Sequence, residues 1–279
     1  MVDSAPSATS RGTTMVVTGA AGGLGAALAD ALHTRGASLL LVDIDAAGLR
    51  DRHAELGCEV LVADIAEAQG RKLIVERCES LGWGPDVLIN NAGVERVSRF
   101  DDLTEAEVRQ ALEVNLLGAM LLTHALLPRM RLRGRGHVVS MASMAGIKPL
   151  PFNAMYNAAK AGLIAFSTSL SKELAGTGID ATVVCPSAVK EVGMWARSRQ
   201  GRSANRLIDS SAVGADDVVA AVLHAVARRP RRVLVASRLV RAGALLSAMS
   251  PWVDRTTDRV SGIREVYRQR VATDHRNRL

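Results

Sequence analysis

Residues 15–25 read Met15-Val16-Val17-Thr18-Gly19-Ala20-Ala21-Gly22-Gly23-Leu24-Gly25, and the Ala-rich run AALADALHTRG follows directly. A short β-branched run, a turn of glycine and alanine, and a helix-forming stretch in that order open a βαβ unit. Glycines in such a turn let backbone N–H groups approach a pyrophosphate and aim it at the helix N-terminus, where unpaired donors and the dipole favour an anion. Any tight βα connection uses glycine, so the turn by itself decides little. Its surroundings decide more. Asp43 closes the next apolar run, SLLLVD, where an acidic side chain accepts from both ribose hydroxyls of a dinucleotide and repels a 2′-phosphate. No Arg or Lys stands in the loop or in the six residues after Asp43, so NAD(H) is favoured over NADP(H).

Outward from this unit, apolar runs alternate with amphipathic stretches as far as Ala236. Strands are predicted at 15–19, 38–43, 58–63, 87–91, 136–141, 180–186 and 231–236. Helices are predicted at 23–35, 45–56, about 66–81, 104–131, 154–175 and 215–228. This rhythm predicts an α/β fold, a single doubly wound domain over 13–236 whose seven-stranded, mostly parallel sheet carries helices on both faces. Residues 1–12, small and polar, read as a loose tail. Residues 187–214 are Arg-rich and without periodicity, and a long irregular segment of that kind more often covers a site than fills a gap. Residues 237–279 form a basic helical extension, broken at Pro251.

Composition narrows the function classes. Hydrophobic residues make up 48% of the 279, charged residues 23% and aromatics 3%, a globular balance that excludes general disorder and fibrous repeats. The longest apolar windows, such as Val233–Met249, are interrupted by Arg238 and Arg241 and fall short of a membrane span, so none is expected. Cys58, Cys78 and Cys185 are odd in number and widely spaced, which suits a reducing cytoplasm and no disulfide framework. The six histidines form no ligand spacing, so no metal site is expected. The net charge of +7 is uneven: residues 190–279 hold 18 Lys and Arg against 8 acids. Nucleic-acid readers interleave aromatics for stacking, and only Trp195, Trp252 and Tyr267 lie in that stretch; a nucleic-acid partner is not expected.

Tyr156 and Lys160 stand one helical turn apart in the run YNAAK. Hydride transfer between a secondary alcohol and a nicotinamide needs a group that takes the hydroxyl proton near neutral pH, and free tyrosine is too weak an acid. Lys160 at i+4 shares a face with Tyr156 and is expected to lower its pKa while gripping the nicotinamide ribose. Ser143 would bond the substrate oxygen.

With the turn TGxxxGxG, the run Asn90-Asn91-Ala92-Gly93, Asn115, Ser143 and YxxxK in this order, the chain resembles the short-chain dehydrogenase/reductase family. The matching residues extend from 18 to 189, about two thirds of the chain. The resemblance implies a Rossmann-type fold and catalytic roles for Asn115, Ser143, Tyr156 and Lys160, with Asn115 holding a water of the proton relay. It implies cofactor contacts from Gly19, Ala21, Gly22, Gly23, Leu24, Gly25, Asp43, Asp64, Ile65, Asn91, Ala92, Gly93, Tyr156, Lys160 and Val189. It also implies a homodimer or homotetramer through the helices around Leu116–Met130 and Tyr156. One departure stands after the sixth strand, where the family's PG-x-V-x-T reads Pro186-Ser187-Ala188-Val189-Lys190. Ser187 must accept a turn that glycine usually makes, and Lys190 either reaches the pyrophosphate or faces solvent.

By nearness in sequence to Ser143, Tyr156 and the irregular segment, Met141, Met144, Ile147, Leu150, Phe152, Met155, Met194 and Trp195 are expected to line the pocket. Methionine suits irregular apolar ligands, so a bulky lipophilic alcohol or ketone, of steroid, polyketide or terpenoid kind, is the expected substrate. Two other classes are weighed. A dinucleotide-sensing binding protein on the same fold would have no need of Ser143, Tyr156 and Lys160. An extended-type epimerase or dehydratase would carry a different glycine spacing and a longer substrate region. For 237–279 three roles stand open: a substrate lid, a contact with a neighbouring subunit, or rest on an anionic membrane, with the first two ahead of the third.

Overall fold

The computed structural model describes residues 12–192 and 212–276. Seven strands, β1 (Thr14–Thr18), β2 (Ser38–Asp43), β3 (Glu59–Val62), β4 (Val87–Asn90), β5 (Gly136–Met141), β6 (Ile179–Pro186) and β7 (Arg232–Val235), form one sheet in the order β3-β2-β1-β4-β5-β6-β7. All six pairings are parallel. The inner strands β4 and β5 are buried along their whole length. That is why they read as continuous apolar runs rather than alternating ones.

Within β1 the side chains alternate between two cores, as the strand period of two requires. Met15 and Val17 pack with Leu28 and Leu32 of α1 (Gly23–Thr34) and with Val218 and Val222 of α7 (Ala215–Arg228). Val16 faces the opposite layer. There it meets Ile74 of α3 (Ala68–Ser80), Leu122, Leu126 and Met130 of α5 (Gly118–Arg133), and Leu170 of α6 (Ala154–Glu173). Each fully buried leucine of these cores contributes about 1.5–3 kcal/mol. The remaining helix beside the cleft, α2 (Ala46–Leu56), is capped by Asp45, whose carboxylate accepts from Ala47 N and Gly48 N.

The helix expected at 104–131 runs unbroken over 105–133, but its pitch changes once along the way. A capping box of Thr104 and Glu107 starts α4 (Glu105–Leu112), a π-helical turn spans Glu113–Leu117, and α5 then runs to a left-handed Gly134. Residues 105–133 are long and apolar enough to cross a membrane by length and composition, which the apolar windows of the sequence did not anticipate. Here the buried side of α5 lies on the sheet.

Beyond β7 come α8 (Arg238–Met249), α9 (Pro251–Ser261) and α10 (Ile263–Arg276). Ser237 and Ser250 cap α8 and α9 by accepting from Val240 N and Val253 N. Pro251 both stops α8 and starts α9, where its missing N–H is no loss. Gly262, at φ +62°, makes the turn into α10.

Strand order reverses between β1 and β4, so a crevice opens at the carboxyl ends of the sheet. The loops after β1, β2, β3, β4, β5 and β6, which carry the residues singled out above, all end at that edge.

Candidate active site

The glycines after β1 divide their work. Gly19 has φ +66°, and a Cβ there would stand 2.7 Å from Ala92 Cα; one on Gly25 would stand 1.8 Å from Gly19 O. These two let the turn, helix α1 and the 91–93 loop press together. Gly22 is the extended N-cap residue of α1 with no side-chain cap, and a Cβ added to it would meet nothing within 4 Å. It leaves the first turn of α1 open to an anion. Across the rim, Asp43 Oδ2 accepts from Ala21 N at 2.9 Å and Oδ1 from Asp45 N at 3.0 Å, so its carboxylate is fixed beside the turn.

The neighbouring loops are held as tightly. Thr18 Oγ1 accepts from Asn91 N and Ala92 N, both at 3.1 Å, while Asn91 Nδ2 donates to Thr18 O and Gly19 O at 3.0 Å. Asp64 Oδ1 accepts from Ala66 N at 2.8 Å, and Arg71 donates to the carbonyls of Ile65 and Ala66. Arg71 supports the site without having been singled out from sequence, and Thr18, the first residue of the TGxxxGxG run, supports it through its hydroxyl. Gly19, Ala21–Gly25, Asp43, Asp64, Ile65, Asn91–Gly93, Ser143, Tyr156, Lys160 and Val189 all border one cavity of about 1060 Å³. Asn115 lies behind its wall.

Helix α6 carries Tyr156 and Lys160 on one face, and the Lys160 ammonium lies 5.6 Å from the Tyr156 ring centroid. Lys160 Nζ also donates to Met141 O at 2.8 Å. Ser143 caps the short 3₁₀ turn Met144–Gly146, its Oγ accepting from Ala145 N at 3.1 Å. A Cβ on Gly146 would stand 2.7 Å from the Lys160 carbonyl carbon. That close approach of turn to helix sets Ser143 and Tyr156 on the wall of the same cavity, with Ser143 Oγ 3.5 Å from Pro186 O. Asn115 sits in the π-helical turn: Nδ2 donates to Val94 O and Ala111 O, both at 2.8 Å, and Oδ1 accepts from Val94 N at 3.1 Å. Its side chain therefore braces the loop after Gly93.

The electrostatics correct one expectation. Burial pushes the Lys160 ammonium down to about 8. Burial also pushes the Tyr156 phenol up, the Glu95 carboxylate adds to that, and the neighbouring Ser143 hydroxyl opposes it. Lys160 does not by itself hold the phenol below its ordinary range, because the ammonium is desolvated too and is shared with the Met141 carbonyl.

The far wall comes from the C-terminal helices. Val240 and Ala244 of α8, Thr257 and Asp258 of α9, and Ile263 and Tyr267 of α10 line the cavity. Two polar contacts hold them down. Glu95 Oε2 pairs with Arg270 at 3.0 Å in a nearly buried ion pair, and its other oxygen accepts from Asn153 Nδ2 at 2.6 Å. The Arg270 guanidinium also stacks over the Tyr267 ring, 4.8 Å from its centroid. Lys148 bonds Thr257 and faces Asp258 at 3.1 Å and Asp254 at 3.8 Å.

Of the pocket residues expected from sequence, Met141, Met144 and Leu150 line the cavity. Ile147 instead packs against the Leu163–Ile164 core, and Phe152 and Met155 are not part of the wall. Phe152 stands at φ +58°, a turn that breaks the link between nearness in sequence and direction. Met194 and Trp195, with most of the segment 187–214, lie outside the described residues. Ser187 is not among the positive-φ residues, so its turn is one any residue adopts. Lys190 is exposed and outside the described cavity wall, which leaves it facing solvent.

Comparison with known proteins agrees with this geometry. The family described as short chain dehydrogenase matches residues 13–203. The ketoacyl reductase HetN of Nostoc sp. is 38% identical over 193 residues, 67% of this chain and 67% of the relative. A solved short-chain dehydrogenase from Streptomyces avermitilis superposes with a TM-score of 0.74 at 26% identity, covering 92% of this chain and 98% of the other. A metagenomic short-chain oxidoreductase solved in complex with NADP gives 0.69 at 28% identity, covering 82% and 98%. Glycine turn, braced Asn115, serine, tyrosine and lysine thus stand on the sheet of a known lineage, and the chain belongs to the short-chain dehydrogenase family of oxidoreductases.

Proposed function

We propose that this protein is an NAD(H)-dependent dehydrogenase or ketoreductase that interconverts a bulky lipophilic secondary alcohol and its ketone. The observation that carries this reading is the convergence of Ser143, Tyr156 and Lys160 on one large cavity, with the Lys160 ammonium 5.6 Å from the Tyr156 ring centroid. A dinucleotide fits the residues present. The uncapped first turn of α1 behind Gly22 would take the pyrophosphate, Asp43 the adenosine ribose, Asp64 and Ile65 the adenine, and Lys160 the nicotinamide ribose.

The choice of NAD(H) over NADP(H) rests on charge. Asp43 stands where a 2′-phosphate would lie, and the cations of the described cavity wall are Lys148 and Lys160. Lys148 is engaged by α9 and Lys160 by the Met141 carbonyl. Neither is a partner for that phosphate.

Bound NAD(H) supplies the hydride acceptor or donor and, when oxidised, a positive charge. The chain supplies the rest. Ser143 Oγ holds the substrate oxygen, and Tyr156 Oη takes the hydroxyl proton on oxidation or gives it back on reduction. Lys160, together with the positive charge of the oxidised cofactor, would stabilise the phenolate, and Asn115 fixes the Val94 backbone next to the pocket. The charged side chains of the substrate half are already satisfied, Glu95 by Arg270 and Lys148 by Asp258, which leaves apolar surface from Met141, Met144, Leu150 and Val240 to meet a neutral ligand. Helices α8–α10 act as the lid of this half. Subunit association through the face that exposes Leu117 of the π-helical turn and Leu121 of α5 completes the reading.

A panel of secondary alcohols from small diols to steroids, scored by NADH formation, tests it. Turnover that rises with apolar bulk is expected. A preference for small polyols would refute the lipophilic substrate.

A further inference from the structure

The helical hairpin α8–α9 has two unlike sides. Inward, Val240, Gly243 and Ala244 close the substrate cavity. Outward, Leu239 and Met249 are each 83% exposed and Trp252 is 67% exposed, with Leu245 and Leu246 half-exposed between them. Positions 239, 242, 246 and 249 recur at the helical period, so the aliphatic residues make one stripe along α8. Trp252 extends it into α9. Leu239 belongs to both sides, for it is exposed and also borders the cavity. The stripe therefore runs to the cavity's edge. A contiguous apolar face of this kind marks an interaction surface rather than scattered exposure.

The charges on the hairpin are sorted. Its two acids, Asp254 and Asp258, turn toward Lys148 beneath. Its four arginines, Arg238, Arg241, Arg255 and Arg259, are all exposed. The outward side thus combines aliphatic surface, an indole and positive charge, while both carboxylates of the hairpin are drawn toward Lys148 and stay 44% and 39% accessible. Arginine stems lie along apolar surface while their heads reach anions, and an indole suits the boundary between hydrocarbon and water.

We infer that the α8–α9 hairpin seats the protein on an anionic lipid surface, so that a lipophilic alcohol or ketone reaches the cavity past Leu239 from the bilayer. Charge favours lipid over a second copy of the chain. In a two-fold contact the patch would meet itself and set four arginines against four. Sequence alone placed the membrane behind a subunit contact, because two arginines beside aliphatic residues are a weak signal; the inward turn of both acids reverses that order. Only the substrate's route rests on the function proposed above. The docking itself does not, and it is tested without turnover.

The full-length protein is sedimented at physiological salt with vesicles of phosphatidylcholine alone and of phosphatidylcholine mixed with phosphatidylglycerol. Binding to the mixed vesicles on the order of tenfold tighter than to the neutral ones is expected, weakening as salt rises. The exposed-charge variant Arg255→Gln/Arg259→Gln is expected to lose most of that preference, and Leu246→Glu/Met249→Glu to lose binding to both. Each variant is first checked for wild-type circular dichroism and dinucleotide binding. No binding to mixed vesicles, or equal binding to both kinds, overturns the inference. So does a wild-type oligomer that dissociates in Leu246→Glu/Met249→Glu, which would assign the face to a second copy. Vesicle binding by a protein that turns over no alcohol would leave the docking intact and refute the site's proposed chemistry alone.

Discussion

The two walls of the cavity are built by different means. The wall around the glycine turn is made of backbone held by backbone and short side chains: Thr18, Asn91 and Asp43 all bond main-chain atoms of adjacent loops. The wall from α8–α10 is held by long charged side chains, Glu95 to Arg270 and Lys148 to Asp258. A backbone cradle suits a ligand of constant shape, whereas a roof tied by a few ion pairs can change from one relative to another without disturbing the sheet.

The difference is broken most directly at the roof. Arg270→Met leaves Glu95 nearly buried without its cation, which should cost about 3–5 kcal/mol of docking for α10. The expected outcome is a lower melting temperature and a raised KM for bulky substrates with dinucleotide affinity unchanged. Arg270→Met combined with Glu95→Gln should recover much of the stability, as a calorimetric double-mutant cycle would show. Equal loss of dinucleotide affinity would mean that the two walls are not separate.

At the cradle, Gly25→Ala places a Cβ against Gly19 O and should cost up to about 3 kcal/mol, with loss of dinucleotide binding by fluorescence titration. Asp43→Asn should narrow the preference for NADH over NADPH, expected to be on the order of a hundredfold, by removing the repulsion. Equal affinities in the wild type would show that a distant arginine reaches the ribose.

A smaller effect joins the walls. Glu95 helps push the Tyr156 phenol up, so Glu95→Gln should move the rising limb of the pH profile for alcohol oxidation to lower pH. The sign follows because oxidation needs the phenolate, and removing a neighbouring negative charge favours it. Arg270, Asn153, Tyr267 and Tyr156 are the groups around Glu95 that set this balance. Smallest of all is the stability change in Lys160→Met. Because burial lowers the Lys160 pKa, the charged form is disfavoured by the fold, a penalty present in full below pH 8 and relieved above it. The variant should melt no lower than the wild type at pH 7 while losing on the order of a hundredfold in turnover.

Most of this was legible because it is local. Runs such as 38–43 and 136–141 coincide with β2 and β5, since strands buried on both faces announce themselves by composition. The site residues after β1, β4 and β5 were legible for a related reason: each sits at a fixed offset from a strand end. What stayed hidden depends on contacts across the chain. The π-helical turn at Glu113–Leu117 goes with Asn115 bonding Val94 on another loop, which no helical periodicity records. Glu95 and Arg270 are 175 positions apart, and nothing in either neighbourhood marks them as partners. Ile147, Phe152 and Met155 were misplaced because proximity in sequence carries no direction once Phe152 turns the chain.

The most direct test of the proton-transfer assignment is Tyr156→Phe, which keeps the ring on α6 and removes the hydroxyl. Dinucleotide affinity by fluorescence titration and kcat on the best alcohol of the panel are measured side by side. The account predicts affinity within about twofold of wild type and kcat lowered on the order of a hundredfold or more. Retention of more than about a tenth of wild-type kcat would contradict it and move the acid–base role to another group.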